Sequence, residues 1–269
     1  NTEKWCQDRA LYNAVMESIS IIDGKHKSLT KNALPDILTK TLGVTFDTNV
    51  GHDYLENVEE RYEFYHTEEE KIPFDIELLN EITKGGLSLK SLNIILAGTG
   101  VGKSLAMCHI AAGALNLGKN VLYISMEMSE ERIAERIDAN LLDIPIDQID
   151  KLSLQMFTEK VAGLKKKTNG RMVVKEYPTS AANANHFRAL LNELKLKKGF
   201  EPDIVFIDYL NICASSRIKM GASVNSYTYI KSIAEELRGL AVEFKLPIVS
   251  ATQTTRSGFG SSDPGLEDT

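Results

Sequence analysis

Cysteine is scarce in this chain of 269 residues: there are 3, at positions 6, 108 and 213. Their number is odd and their spacing wide, so they offer neither a disulfide framework nor a metal-ligand pattern. Free thiols in a reducing, cytoplasmic compartment are expected, and Cys108, inside an apolar helical stretch, reads as a small buried residue. No apolar run approaches membrane-spanning length, so neither a signal peptide nor a membrane role is expected. An excess of positive charge is also lacking. Lys and Arg number 31 against 37 Asp and Glu, a net charge of −6. That argues against a generic nucleic-acid coat but leaves room for a local basic groove or ring lumen. No internal repeat or low-complexity tract is present. The chain opens on Asn1 and closes on Thr269 in a Gly/Ser-rich stretch, so a piece of something longer is expected.

What the chain does contain is Ala97-Gly98-Thr99-Gly100-Val101-Gly102-Lys103-Ser104. It follows the apolar run Leu92–Leu96, which reads as a buried strand, and opens an apolar helix from Leu105 to Leu115. Strand, glycine loop, Gly-Lys-Ser and helix together form the phosphate-binding P-loop. Glycines let backbone N–H groups close round a phosphate, and the helix N-terminus adds partial positive charge. Lys103 would reach the β- and γ-phosphates of ATP or another NTP, and the Ser104 hydroxyl would ligate Mg²⁺. Ala97 stands where glycine is usual, a small change while Gly98, Gly100 and Gly102 keep the loop adaptable. The competing reading is an ordinary glycine turn.

Before this core, periodic apolar residues predict helices over 1–23, 32–42 and 53–65. The second carries Leu34, Ile37, Leu38 and Leu42 on one face and is too short to stand alone. It must dock on its own core or on a neighbouring subunit. The charged run Thr67–Lys71 reads as a solvated link. From Ile72 onward strands and helices alternate, which predicts an α/β fold with a parallel sheet. The expected strands are Val121–Ser125, Met172–Val174, Ile204–Asp208 and Pro247–Ala251. Ligands of such sheets bind at the carboxyl ends of the strands. Besides the P-loop, three polar residues stand there. Asp208 would hold Mg²⁺ directly or through water, unless it is only a cap or turn residue. Glu127 would polarise a water attacking the γ-phosphate, unless it is a solvated glutamate before a helix. Gln253 would bond the γ-phosphate and report its loss, unless it is a surface glutamine.

With those residues in order, the chain resembles the hexameric replicative helicases of the DnaB family. The likeness is carried by Ile72-Pro73, by Leu78-Leu79-Asn80-Glu81-Ile82-Thr83-Lys84-Gly85-Gly86-Leu87, by Ser125-Met126-Glu127-Met128-Ser129 and by Ile207-Asp208-Tyr209-Leu210. Ser250-Ala251-Thr252-Gln253-Thr254-Thr255-Arg256 carries it more loosely. The resemblance covers about residues 71–269. It implies a RecA-like P-loop NTPase core with a parallel sheet, preceded by a helical N-terminal and linker segment. Residues 1–28 would end a collar domain, 29–70 would form a linker helix and connector, and 71–269 the ATPase core without its C-terminal part. It further implies a homo-hexameric ring on single-stranded DNA, ATP sites between subunits completed by a neighbour's arginine, and a primase and a helicase loader as partners. A filament-forming RecA-type recombinase, or a RecA-like signalling ATPase that binds only proteins, remains open on the residues alone.

Two loops leave the strand ends that carry Asp208 and Gln253. One spans 212–226 with Arg217, Lys219 and Gly221. The other follows Gln253 with Arg256, Gly258 and Gly260. Both are rich in small residues and poor in apolar anchors, so neither is expected to pack in the core. In a ring they would face the lumen and meet DNA phosphates. The plainer reading makes them solvent loops.

Overall fold

The computed structural model describes residues 2–26, 29, 33–42, 54–67, 69–218 and 225–253. The chain divides into two compact units, Asn1–Glu68 and Glu69–Thr269. In the first, α1 (Thr2–Ile22) packs against α2 (Leu34–Leu42). Ala14 and Ile21 are buried, while Trp5, Tyr12, Val15 and Ile19 are exposed. The short second helix thus docks within its own chain, and Leu38 still faces outward. A third helix, α3 (Val58–His66), begins later than the apolar spacing predicts. Tyr54–Glu56 form a turn, and the Asn57 side chain donates to Glu60 Oε2 (3.0 Å) at the helix start. Residue 53 of the expected helix lies outside the described residues.

The second unit opens with a small antiparallel pair, β1 (Lys71–Ile72) and β2 (Leu87–Ser88), that brackets α4 (Glu77–Thr83). The solvated link expected over 67–71 therefore gives way to a strand at Lys71. Gly86 is the reason the pair closes. Its φ is +122°, and a Cβ there would fall 2.2 Å from the Ile72 carbonyl oxygen. Asn80 reinforces the turn, accepting from the Phe74 N–H and donating to the Phe74 carbonyl, both at 2.7 Å.

Five parallel strands make the main sheet: β3 (Leu92–Ala97), β4 (Val121–Ser125), β5 (Met172–Glu176), β6 (Ile204–Asp208) and β7 (Ile248–Gln253). Their order is β3-β7-β6-β4-β5. Successive strand residues face opposite sides. Val121, Tyr123, Ile204 and Phe206 pack with Met107, Ala111, Ile133 and Ile137 from α5 (Lys103–Asn116) and α6 (Glu130–Leu141). Leu122, Ile124, Val205 and Ile207 pack on the other side with Phe187, Leu191, Ile233 and Leu237 from α8 (Ala184–Lys198) and α9 (Ser226–Phe244). Because both faces are covered, the central strands read as continuous apolar runs. Each fully buried Ile, Leu or Phe adds about 1.5–3 kcal/mol. Peripheral α7 (Leu154–Lys167) buries none of its residues.

Helix starts follow local chemistry. Ser129 and Ser153 accept from the N–H groups of Arg132 and Met156, and Asn183 caps α8 through Asn185 and His186. Among the described strands, β3 lies at one edge and pairs with β7 alone. Among the described residues no helix is long and apolar enough to cross a membrane.

Candidate active site

The glycine loop hangs between β3 and α5. Gly100 (φ +76°) and Gly102 (φ +108°) occupy the left-handed region, so backbone conformation demands glycine there. Lys103, the first residue of α5, is 9% exposed. Its Nζ donates to the Gly98 carbonyl at 3.0 Å and lies 5.7 Å from the Tyr209 ring centre. The loop, Lys103, Ser104, Glu127 and Gln253 all line one cleft of about 230 Å³. Sheet register explains the meeting. Ala97 pairs with Gln253, and Ser125 with Asp208, so the strands end together.

Glu127 reaches the cleft from a tight turn. The Ser125 hydroxyl donates to the Met128 carbonyl (2.6 Å) and accepts from the Met128 N–H (3.0 Å). Thr179 Oγ1 donates to the Met126 carbonyl at 2.8 Å. The turn leaves the Glu127 side chain exposed on the wall. Gln253 Nε2 donates to the Tyr209 hydroxyl at 3.2 Å. Burial raises the Tyr209 pKa, and the carboxylates of Glu127 and Asp208 add to the rise, so the phenol stays neutral.

Asp208 is placed differently from the other three. It is fully buried and is not part of the cleft wall. Its Oδ2 accepts from the Tyr123 hydroxyl at 3.0 Å, while its Oδ1 has no hydrogen-bond partner. An unpartnered buried acceptor costs about 1–3 kcal/mol, so this oxygen suits a donor or a cation. With the Ser104 hydroxyl it supplies hard oxygen of the type Mg²⁺ takes. Among the described residues no group of three or more His, Cys, Asp or Glu side chains is able to hold a metal by itself. A cation here would share its coordination with phosphate oxygens, as Mg²⁺ does.

Sequence reasoning passed over four contributors: Ser125 and Thr179, which shape the Glu127 turn, Tyr123, and Arg136. The last lines the cleft from α6 and adds a second cation to that of Lys103. A signal existed for it, since α6 opens just beyond Glu127 and Arg136 directly precedes the buried Ile137. A larger hollow of about 410 Å³ between α6 and α7 is walled chiefly by Leu115, Ile137, Leu141, Val161 and Leu164, and gathers none of these groups.

The first loop departs from expectation at its root. Cys213 is buried, and Ile212 and Ile218 pack against the core. Glu236 of α9, 6% exposed, takes the Ser215 hydroxyl (2.6 Å), the Ser216 hydroxyl (2.6 Å) and the Ser216 N–H (2.9 Å). A carboxylate on the Ile233–Leu237–Leu240 stripe was the overlooked signal. Arg217 is exposed and stands 3.7 Å from Glu235. Lys219, Gly221, Arg256, Gly258 and Gly260 lie outside the described residues.

The family described as DnaB-like helicase C terminal domain matches residues 72–263. The chain is 47% identical to the DnaB-like replicative helicase of Enterobacteria phage T4 over 278 aligned residues, 99% of this chain and 58% of that protein. It is 30% identical to the replicative DNA helicase DnaB of Helicobacter pylori strain 26695, over 69% of this chain and 37% of that protein. The chain thus spans less than two thirds of the curated relatives it matches. Two solved structures share the fold. One, of a DnaB-like replicative helicase and its interactions with primase, has a TM-score of 0.60 at 18% identity and covers 98% of this chain and 62% of its own. The other, described as an ATPase domain, has a TM-score of 0.61 at 20% identity and covers 79% of this chain and 74% of its own.

Proposed function

We propose, on the premise that this chain belongs to the DnaB-like helicase family, that it is the motor part of an ATP-dependent replicative DNA helicase. It would form a homo-hexameric ring, move along single-stranded DNA in the cytoplasm and displace the complementary strand. One observation carries the reading. Lys103, Glu127 and Gln253 share a cleft with a glycine loop, and the same strand ends carry a buried carboxylate with an unused oxygen. Nothing among the relatives favours the recombinase.

In this reading ATP is the substrate. Backbone N–H groups of residues 98–102 and the start of α5 cradle its phosphates. Lys103 exchanges the Gly98 carbonyl for phosphate oxygens, and Arg136 adds positive charge beside it. Asp208 and Ser104 would hold Mg²⁺, which when bound offsets charge on the phosphates. Glu127, free on the wall, orients the attacking water and takes its proton. Gln253 reads the γ-phosphate, and its bond to Tyr209 ties that reading to the end of β6. The loops carrying Arg217, Lys219 and Gly221, and Arg256, Gly258 and Gly260, meet DNA phosphates in the lumen. Residues 1–28 and 29–70 serve as collar end and linker, and a primase and a loader are the partners.

The test is a pair of variants. Lys103→Ala is expected to lose binding of a fluorescent ATP analogue. Glu127→Gln is expected to keep it while turnover falls about 10²-fold or more. Phosphate release stimulated by single-stranded DNA, and rings under the electron microscope, complete the expectation. Near-parental turnover in Glu127→Gln would refute the role of that residue. Filaments in place of rings would refute the helicase.

A further inference from the structure

We propose that Tyr123 is a positioning residue that sets which cation the site accepts. Its hydroxyl occupies one oxygen of the Asp208 carboxylate and leaves the other as the single point of contact for a metal. The inference rests on the reading of Asp208 as a metal-holding residue.

The geometry is specific. Tyr123 is fully buried on β4, two residues before Ser125, the register partner of Asp208. Its ring stacks on Phe206 with centroids 5.7 Å apart and planes 9° from parallel, which fixes the direction of the hydroxyl oxygen. That hydroxyl donates to Asp208 Oδ2 at 3.0 Å. On the other side Cys108 Sγ of α5 donates to the same phenol oxygen at 3.8 Å. Burial pushes the Cys108 thiol up to about 11, so it keeps its proton and has it to give to the phenol oxygen. The phenol has one proton, and the Asp208 carboxylate at 3.0 Å is a far stronger acceptor for it than a neutral thiol sulfur at 3.8 Å, so that proton goes to Asp208. Oδ2 is committed and Oδ1 is open.

A carboxylate with one open oxygen does not chelate. Ca²⁺ gathers about 6–8 oxygens and often takes both from one carboxylate. Mg²⁺ keeps an octahedral shell with several waters and accepts single-oxygen contacts. Tyr123 therefore favours Mg²⁺ whether the cation meets Oδ1 directly or through one of its waters.

The experiment uses the full chain and a fluorescent ATP analogue. Mg²⁺ and Ca²⁺ are titrated separately, and the readout is the metal concentration at half-maximal gain in nucleotide binding. Tyr123→Phe is expected to raise the Mg²⁺ requirement about tenfold, by loss of an outer partner of a metal ligand. The Ca²⁺ requirement is expected to rise much less, so the preference for Mg²⁺ narrows. Cys108→Ala, which keeps the phenol but removes the thiol that donates to its oxygen and strengthens its bond to Asp208, is expected to narrow it in the same direction by a smaller factor, and it decides the matter if Tyr123→Phe does not fold. An unchanged Mg²⁺ to Ca²⁺ ratio overturns the proposal, whether both requirements stay put or rise together. Asp208→Asn separates the two levels. If nucleotide binding by the parent is indifferent to metal, or Asp208→Asn leaves its metal dependence intact, the metal role of Asp208 itself falls. If both behave as expected and only the Tyr123 ratio is unmoved, the role of Tyr123 alone falls.

Discussion

Replacing Glu236 by alanine is expected to destabilise the core by about 3 kcal/mol. Its carboxylate accepts two hydroxyls at 2.6 Å and a backbone N–H at 2.9 Å from residues 215 and 216. A hydrogen bond to a charged acceptor is worth about 1.5–3 kcal/mol. The three are not additive, because Ser215 is half-buried and Ser216 exposed, and both recover part of the loss from water. Counting the strength of between one and two bonds gives the figure above. For a domain of this size it corresponds to a fall of about 6–12 °C in melting temperature. The effect is also tied to pH. Burial alone would raise the Glu236 pKa, but bonds from Ser215, Ser216 and the Arg217 N–H outweigh it and hold the group below its ordinary value of 4.5. A depressed carboxyl contributes stability above its unfolded pKa and loses it as pH falls through the folded one. Urea denaturation of the parent and of Glu236→Gln should therefore differ most near neutrality. The gap should close on acidification below about 4.5, where an unfolded glutamate takes up its proton. A Glu236→Ala cost under about 0.5 kcal/mol, the range of ordinary surface changes, would refute the clamp. So would a gap between parent and Glu236→Gln that stays constant down to strongly acidic pH.

Three further outcomes are expected. Gly86→Ala should cost more than about 1 kcal/mol in a thermal melt, because its Cβ would strike the Ile72 carbonyl and its φ is positive; a neutral result would mean that the β1–β2 turn relaxes freely. Changing Ile37 and Leu38 together to Asp should reduce ring formation on gel filtration while the ATPase core keeps its nucleotide binding; full-size oligomer would show that α2 does not serve assembly. Lys219→Ala and Arg256→Ala should each weaken single-stranded DNA binding and flatten its salt dependence by about one phosphate contact, measured by fluorescence anisotropy; unchanged slopes in both would place the DNA elsewhere.

The strands and the phosphate loop were legible because local pattern and tertiary role agree. Val121–Ser125 and Ile204–Asp208 are apolar on both faces because helices cover both faces. Ser129 and Gly199 marked the start of α6 and the end of α8 for the same reason, while the sequence allowed α8 to start at Asn183 or Asn185 and the structure caps it with Asn183. What escaped was set by partners distant in sequence. Lys71 reads as part of a charged link until Gly86 lets Leu87 pair with Ile72. Ser215 and Ser216 read as loop residues until Glu236 arrives from α9. Tyr123 is one more apolar strand residue until Asp208, 85 positions later, accepts a hydrogen bond from its hydroxyl. Composition and periodicity report which face a residue occupies, not which polar atom it meets there.

The edge position of β3 bears on the order in which the molecule comes together. Its partner among the described strands is β7, and the Asn93 side chain reaches the Ile248 carbonyl across 155 positions of sequence. Contacts that distant form late, since a long loop must close before they are made. During synthesis the glycine loop therefore leaves the ribosome early but gains a strand beside β3 only when β7 arrives. Until then β4, β5 and β6 can pair among themselves and hold α5, while β3, which leads into the phosphate cradle, has no strand beside it. Nucleotide binding should accordingly lag behind the appearance of sheet and helix signals on refolding, and a nascent chain that has not yet emitted β7 should not hydrolyse ATP.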